Sequence, residues 1–258
     1  MTGFYQYERR FEGQPSGGRI TYAVQRLIML NIAVFAGQLL LDIPFGGDPT
    51  APLGGFVAKL LAFRPEKLGD GFVWQPITYM FLHGDLMHLF FNMIGLYFFG
   101  PDVERILSTR QFFRFFVICG AAGALAEFLF WFIRVDTTPI TVVGASGATA
   151  GVLVAFAVAY PDREVFLFPL PFPINARALV IFFIVMNLIS AVQDSHLAWM
   201  THFGGLGAGY AYMKVVPVLR ARLQAWQGKA SKPKDGLDSV GDAVDNIFKF
   251  EDEKRRRR

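Results

Sequence analysis

Ser146 and His202 are the residues whose types and setting point most directly to chemistry. A serine hydroxyl is a weak nucleophile until a base takes its proton. Histidine titrates in the range that such work needs. Ser146 stands in Gly144-Ala-Ser146-Gly147-Ala-Thr-Ala-Gly151, and His202 in Thr201-His202-Phe-Gly204-Gly205-Leu-Gly-Ala-Gly209. A third polar set reads His83-Gly-Asp-Leu-Met-His88-Leu-Phe-Phe-Asn92. His88 and Asn92 are four apart and share a face if that stretch is helical. Both then donate hydrogen bonds toward one point. Acyl transfer at a serine needs such donors for its oxyanion, and each is worth about 2.7–4 kcal/mol. His88, Asn92 and the backbone N–H of Ser146 are the candidate donors.

These residues lie in a chain built for lipid. It has 258 residues, 53% of them hydrophobic and 16% aromatic, with 28 phenylalanines and few charges for its size. A helix crossing the hydrocarbon core needs about 20 mostly apolar residues. Segments near 24–43, 83–100, 113–133, 144–160, 176–193 and 198–216 meet or approach that length. Backbone polar groups must be satisfied internally in lipid, so six helices in a bundle are the expected architecture. The first apolar run follows some twenty polar residues and is long enough to span, so it reads as a retained helix rather than a cleaved signal. The single cysteine, Cys119, falls in the third span and reads as a packing residue.

Charge sets the expected orientation. Arg9, Arg10 and Arg19 precede the first span, Arg105 and Arg110 follow the second, and Arg163 follows the fourth; twelve Lys and Arg lie from Lys214 onward. Only Lys59, Arg64, Lys67 and Arg134 lie on the other side. The positive-inside rule places both termini in the cytoplasm. The second, fourth and sixth helices then run in one direction, each with its polar set in its first turns. Ser146, His202, His88 and Asn92 therefore converge at similar depth near the extracytoplasmic face. Gly147 and Gly151 are four apart, as are Gly205 and Gly209. Small residues at that spacing let helix backbones approach closely, so these two faces can bring Ser146 to His202.

The long first loop, residues 44–82, holds an amphipathic stretch from Phe56 to Phe63, suited to an interfacial position. The composition divides the chain into an arm at 1–20, a core at 21–217, and a basic, disordered cytoplasmic tail at 218–258. Glu127 is a carboxylate inside the third span, expected to face a wet cavity or to snorkel outward; the alternative is a polar partner, direct or through water, or a part in substrate entry. His83 and His88 are five apart, about 140° around a helix, and no Glu follows His83; a zinc-protease pattern is absent and no metal is expected.

The Gly-x-Ser-Gly opening of the fourth span, the His-x4-His-x3-Asn of the second, and the His followed by Gly-x3-Gly in the sixth together resemble rhomboid proteases. The resemblance covers roughly residues 20–216 and implies an all-α membrane protein, a six-transmembrane-helix rhomboid-like bundle. It implies an intramembrane serine endopeptidase cutting transmembrane protein substrates in or near their membrane segments in the lipid bilayer. Ser146 would be the nucleophile and His202 the base, with no carboxylate, no cofactor and no nucleic-acid partner. It further implies that His88 and Asn92 are oxyanion donors, that Gly144 precedes the serine loop, and that His83 is structural. Glu104-Arg105 resembles a signature after the second helix. The sequence departs from the pattern at Gln75, where an Arg follows the Trp in the family, at Ser108, where Gly is common, and at Ala150, where some members carry an aromatic against the base. A bacterial inner membrane suits the short arm. Two rival readings are a non-proteolytic relative that escorts membrane helices and a six-span transporter. The first should lack the serine or the histidine; the second should show interrupted helices or a repeat near the midplane.

Overall fold

A computed structural model of the chain describes residues 20–42, 55–134, 139–166, 172–193 and 199–226. The chain divides into two units, residues 1–213 and 214–258. The candidate site belongs entirely to the first. The helices are α1 (Tyr22–Asp42), α2 (Phe56–Leu61), α3 (Gln75–Thr78), α4 (Leu86–Leu107), α5 (Thr109–Ile133), α6 (Ser146–Ala159), α7 (Ala176–Gln193) and α8 (Trp199–Trp226), the last continuing past residue 213. Two-residue strands, β1 (Glu164–Val165) and β2 (Ile174–Asn175), pair antiparallel between α6 and α7. α1 and α5 are long and apolar enough to cross a membrane, and α6 and α7 are shorter apolar helices. Large apolar side chains face outward, among them Phe132 at 72%, Ile133 at 78% and Val192 at 88% exposure. A surface of that kind is costly in water and neutral against lipid tails.

α6 is the axis of the first unit. Its Gly, Ala and Val side chains from Gly147 to Phe156 are buried apart from Thr149, which is half-buried. It is hydrophobic all round, as a helix surrounded by other helices must be. α4 starts at Asp85, whose carboxylate accepts the His88 N–H at 2.7 Å. That N-cap satisfies an otherwise orphaned donor. The helix therefore begins three residues after the expected start, and His83 lies ahead of it rather than on it. Helical spacing between His83 and His88 does not apply. Gly144 and Ala145 likewise precede α6. α8 runs on to Trp226, so residues 218–226, expected in the tail, are helical. The remaining tail, the arm before residue 20, and the loop residues Asp194 and His196 lie outside the described residues.

Glu104 explains the signature after α4. It is buried, and its two oxygens accept the Ala23 and Val24 N–H groups at 3.0–3.1 Å and the Thr109 hydroxyl at 2.7 Å. One carboxylate thus caps α1, where the helix dipole favours negative charge, and holds the start of α5. Between them Ser108 has φ +69° and ψ 155°, a backbone region that only glycine enters freely. Its side chain makes no cap hydrogen bond. Ser108→Gly is expected to relieve about 1–2 kcal/mol of strain and raise the thermal midpoint by several degrees. A detergent melt that shows no rise would count against strain at this turn.

The first loop is anchored without the familiar arginine. Gln75 is fully buried; its Oε1 accepts the Arg64 N–H at 3.1 Å and its Nε2 donates to the Leu60 carbonyl at 3.3 Å. Trp74 Nε1 donates to the same carbonyl at 3.0 Å, and Thr78 Oγ1 donates to that of Leu61 at 2.7 Å. An amide carries one donor end and one acceptor end, so it can tie two backbone groups of a loop that a guanidinium, which only donates, could not.

Candidate active site

The segment entering α6 is fixed by its backbone. Val142 and Phe63 exchange hydrogen bonds at 2.8 and 3.0 Å, forming an isolated antiparallel bridge. Two residues on, the Gly144 N–H donates to the Tyr79 carbonyl at 3.0 Å. The buried Tyr79 hydroxyl donates to the Gly120 carbonyl of α5 at 2.7 Å. Burial, more than the nearby Glu127 and Cys119, pushes that phenol's pKa up, so it stays a donor. Gly144 has φ +111°, and a Cβ there would stand 2.5 Å from His88 Nε2. The absent side chain is what lets the imidazole lie against the backbone just ahead of Ser146.

The two glycine faces meet. A Cβ on Gly205 would sit 1.9 Å from the Gly147 carbonyl oxygen, and one on Gly209 would sit 2.6 Å from that of Gly151. α6 and α8 therefore touch backbone to backbone. At the top of this seam Ser146 Oγ lies 2.8 Å from His202 Nε2, a hydrogen-bond distance for a nucleophile and its base. Cys119 packs at the same seam, its Sγ 2.5 Å from where a Gly151 Cβ would be.

His88 and Asn92 come from the first turns of α4. Asn92 is buried; its Nδ2 donates to the His88 carbonyl at 2.9 Å and its Oδ1 accepts the Thr149 hydroxyl at 3.3 Å. Thr149 Oγ1 also lies 3.1 Å from the Ser146 carbonyl, so Asn92 is joined through it to the serine's own turn. The first-turn N–H groups of α6, that of Ser146 among them, are not used by the helix ladder. His88 Nε2 and Asn92 Nδ2 lie 2.5 and 3.7 Å from where a Gly144 Cβ would stand, two residues ahead of Ser146. His83 is fully buried behind this group, its ring edge-on to that of His88 at 5.1 Å. Its backbone exchanges hydrogen bonds with the Gln38 amide of α1. Among the described residues neither His83 ring nitrogen has a partner.

Two residues near His202 escaped the sequence reading or were misread by it. Asn187 of α7 places its Oδ1 against His202 Nδ1. A polar residue within an apolar helix was the available signal. Glu127, expected to be wet or outward, is instead buried at 2% exposure. Its Oε2 accepts the Thr201 N–H at 3.1 Å and the Thr201 hydroxyl at 3.2 Å. It thereby fixes the first turn of α8 one residue ahead of His202. Phe183 of α7 lies with its ring centre 5.7 Å from that of His202. Ala150 of α6 brings no ring to His202.

Residues 70–217 match the family model of the Rhomboid domain. Over 184 residues the chain is 32% identical to Rhomboid protease GluP of Bacillus subtilis (strain 168), covering 71% of this chain and 32% of that protein. Over 192 residues it is 30% identical to Rhomboid protein 1, mitochondrial, of Saccharomyces cerevisiae, covering 73% and 51%. Over 218 residues it is 29% identical to Rhomboid protease AarA of Providencia stuartii, covering 75% and 73%. The chain thus spans a third to a half of the length of the first two relatives.

Proposed function

The chain belongs to the rhomboid family, and on that premise we propose that it is an intramembrane serine endopeptidase acting through Ser146 and His202. The observation that carries this reading is the 2.8 Å contact between Ser146 Oγ and His202 Nε2 at the start of a buried helix. His202 Nε2 takes the proton as Oγ bonds to the scissile carbonyl carbon of the substrate. The carbonyl oxygen becomes an oxyanion facing His88, Asn92 and the Ser146 N–H. Collapse breaks the C–N bond, and the imidazolium returns its proton to the leaving amine. Water, deprotonated by His202, then releases the acyl group and restores the serine. Gly144, Gly147, Gly151, Gly205 and Gly209 support the site by close backbone approach, and His83 supports it by backing His88.

Six helices cross the bilayer on this reading, with α2 and α3 in the loop between the first two spans. Both termini are cytoplasmic, and the site lies toward the extracytoplasmic face of a bacterial inner membrane. The substrates are transmembrane proteins whose helix unwinds locally, because a helical backbone engages its own carbonyls. The test is labelling of the purified full chain by a fluorophosphonate. Wild type is expected to label at Ser146 and to cleave a transmembrane peptide, and Ser146→Ala to do neither. A folded wild type that never labels, or a Ser146→Ala protein that still cleaves, overturns the proposal.

A further inference from the structure

We infer that Asn187 is a positioning residue for His202, selecting the ring tautomer in which Nε2 is free to act as base. The inference rests on the serine-protease reading above. His202 meets Ser146 Oγ through Nε2 and Asn187 Oδ1 through Nδ1. The orientation of the Asn187 amide is not arbitrary. Its Nδ2 donates to the Phe183 carbonyl one turn back at 2.8 Å, and a carbonyl only accepts. Oδ1 therefore faces the ring. Oδ1 also only accepts, so the hydrogen of the neutral imidazole sits on Nδ1. Nε2 is left with its lone pair toward Ser146 Oγ, the arrangement proton abstraction requires. The other tautomer would set two lone pairs against each other at Asn187 and an N–H against the serine hydroxyl.

The surroundings of Asn187 support the assignment. From Ile181 to Ser190 it is the one buried residue of α7; Val185, Leu188 and Ile189 are exposed. A polar side chain on the inward face of so apolar a helix is costly unless it has a partner, and its partner is the base. Glu127, a buried carboxylate of α5, is engaged with Thr201. Ala150 contributes no ring from α6, and Phe183 of α7 flanks His202 instead. The base is thus held from α7, by a neutral acceptor and an aromatic one turn apart.

The test uses purified full chain and a fluorophosphonate, whose inactivation rate constant reads serine nucleophilicity and whose binding constant reads access. Asn187→Leu keeps the branched shape and removes the acceptor; Asn187→Asp keeps an acceptor. Asn187→Leu is expected to lower the rate constant by about 100-fold with little change in binding constant, and Asn187→Asp to restore most of it. The thermal midpoint should not fall in Asn187→Leu, which separates positioning from unfolding. The chain has four histidines, so ¹⁵N spectra can assign His202 and should show its hydrogen on Nδ1 in wild type and lost from that preference in Asn187→Leu. An unchanged rate in Asn187→Leu overturns the inference. So does a wild-type His202 protonated at Nε2, or an Asn187→Asp protein as slow as Asn187→Leu. Failure of the protease reading itself would appear separately, as wild-type protein with no Ser146-dependent labelling.

Discussion

Ser146→Ala and His202→Ala are each expected to lower cleavage by about 10⁴-fold or more, and the double variant to lower it no further. The expectation follows from the shared proton. Ser146 Oγ and His202 Nε2 are 2.8 Å apart, and neither has a use in the reaction without the other. Removing the hydroxyl leaves nothing to deprotonate, and removing the ring leaves a hydroxyl that is a poor nucleophile. The residual rate should come from binding and from the donors at His88 and Asn92. Folding should be nearly untouched in Ser146→Ala, because one hydrogen bond of about 1 kcal/mol is lost and no large cavity is made. Single-turnover cleavage and detergent melts of the three variants make the check. Losses that multiply would mean that the two residues act independently, which the geometry does not allow.

Gly205→Val is expected to be the most damaging single change outside the reacting pair. Its first added carbon would stand 1.9 Å from the Gly147 carbonyl oxygen and 2.6 Å from that carbonyl carbon. Those are backbone atoms of a buried helix and cannot rotate aside. α6 and α8 must move apart by an ångström or more. Overpacking of this kind costs about 1–3 kcal/mol or more, and a shift of about 1 Å between reacting groups costs about 100-fold in rate. Labelling at Ser146 and the thermal midpoint should both fall. Gly207→Ala is the internal control, since nothing lies within 4 Å of that position. It sits on the same helix and faces outward, so it should leave both readouts unchanged or gain up to about 1 kcal/mol from helix propensity. If Gly205→Val behaved like Gly207→Ala, the seam would not be what sets the distance between Ser146 and His202.

The two glycine pairs were legible in the sequence because a four-residue period is local, and so was the shared face of His88 and Asn92. Spacing follows from helix geometry, so neither needs a tertiary structure. What could not be read depends on rotation and crossing of helices distant in sequence. Glu127 meets Thr201 across 74 residues, and its carboxylate looked like an isolated charge because its partner is partly a backbone N–H. Asn187 meets His202 across a loop, and a single Asn in an apolar run carries no period that points to a partner. The helix starts were misplaced for a different reason. Asp85 ends the irregular stretch by capping α4, but His83 belongs to the same polar cluster and drew the boundary toward itself. Gln75 departs from the family pattern by residue type while still tying the loop, a point visible only once its two backbone partners are known.

The length of α6 has a consequence for where a substrate is cut. Its 14 residues rise about 21 Å, against a hydrocarbon layer of about 30 Å. On the proposed six-span reading, the polar turn Pro161-Asp162-Arg163 after Tyr160 would mark one boundary of the layer. Ser146, at the opposite end, would then lie on the order of 9 Å beneath the other boundary. Nine ångströms is about six residues of helix or about three of unwound chain. A protein entering this site would be cut roughly three to six residues inside its own membrane segment, so the shortness of one buried helix would act as a depth gauge for the scissile bond. Lengthening or shortening a substrate's span at that end should move the cleavage position by the same count.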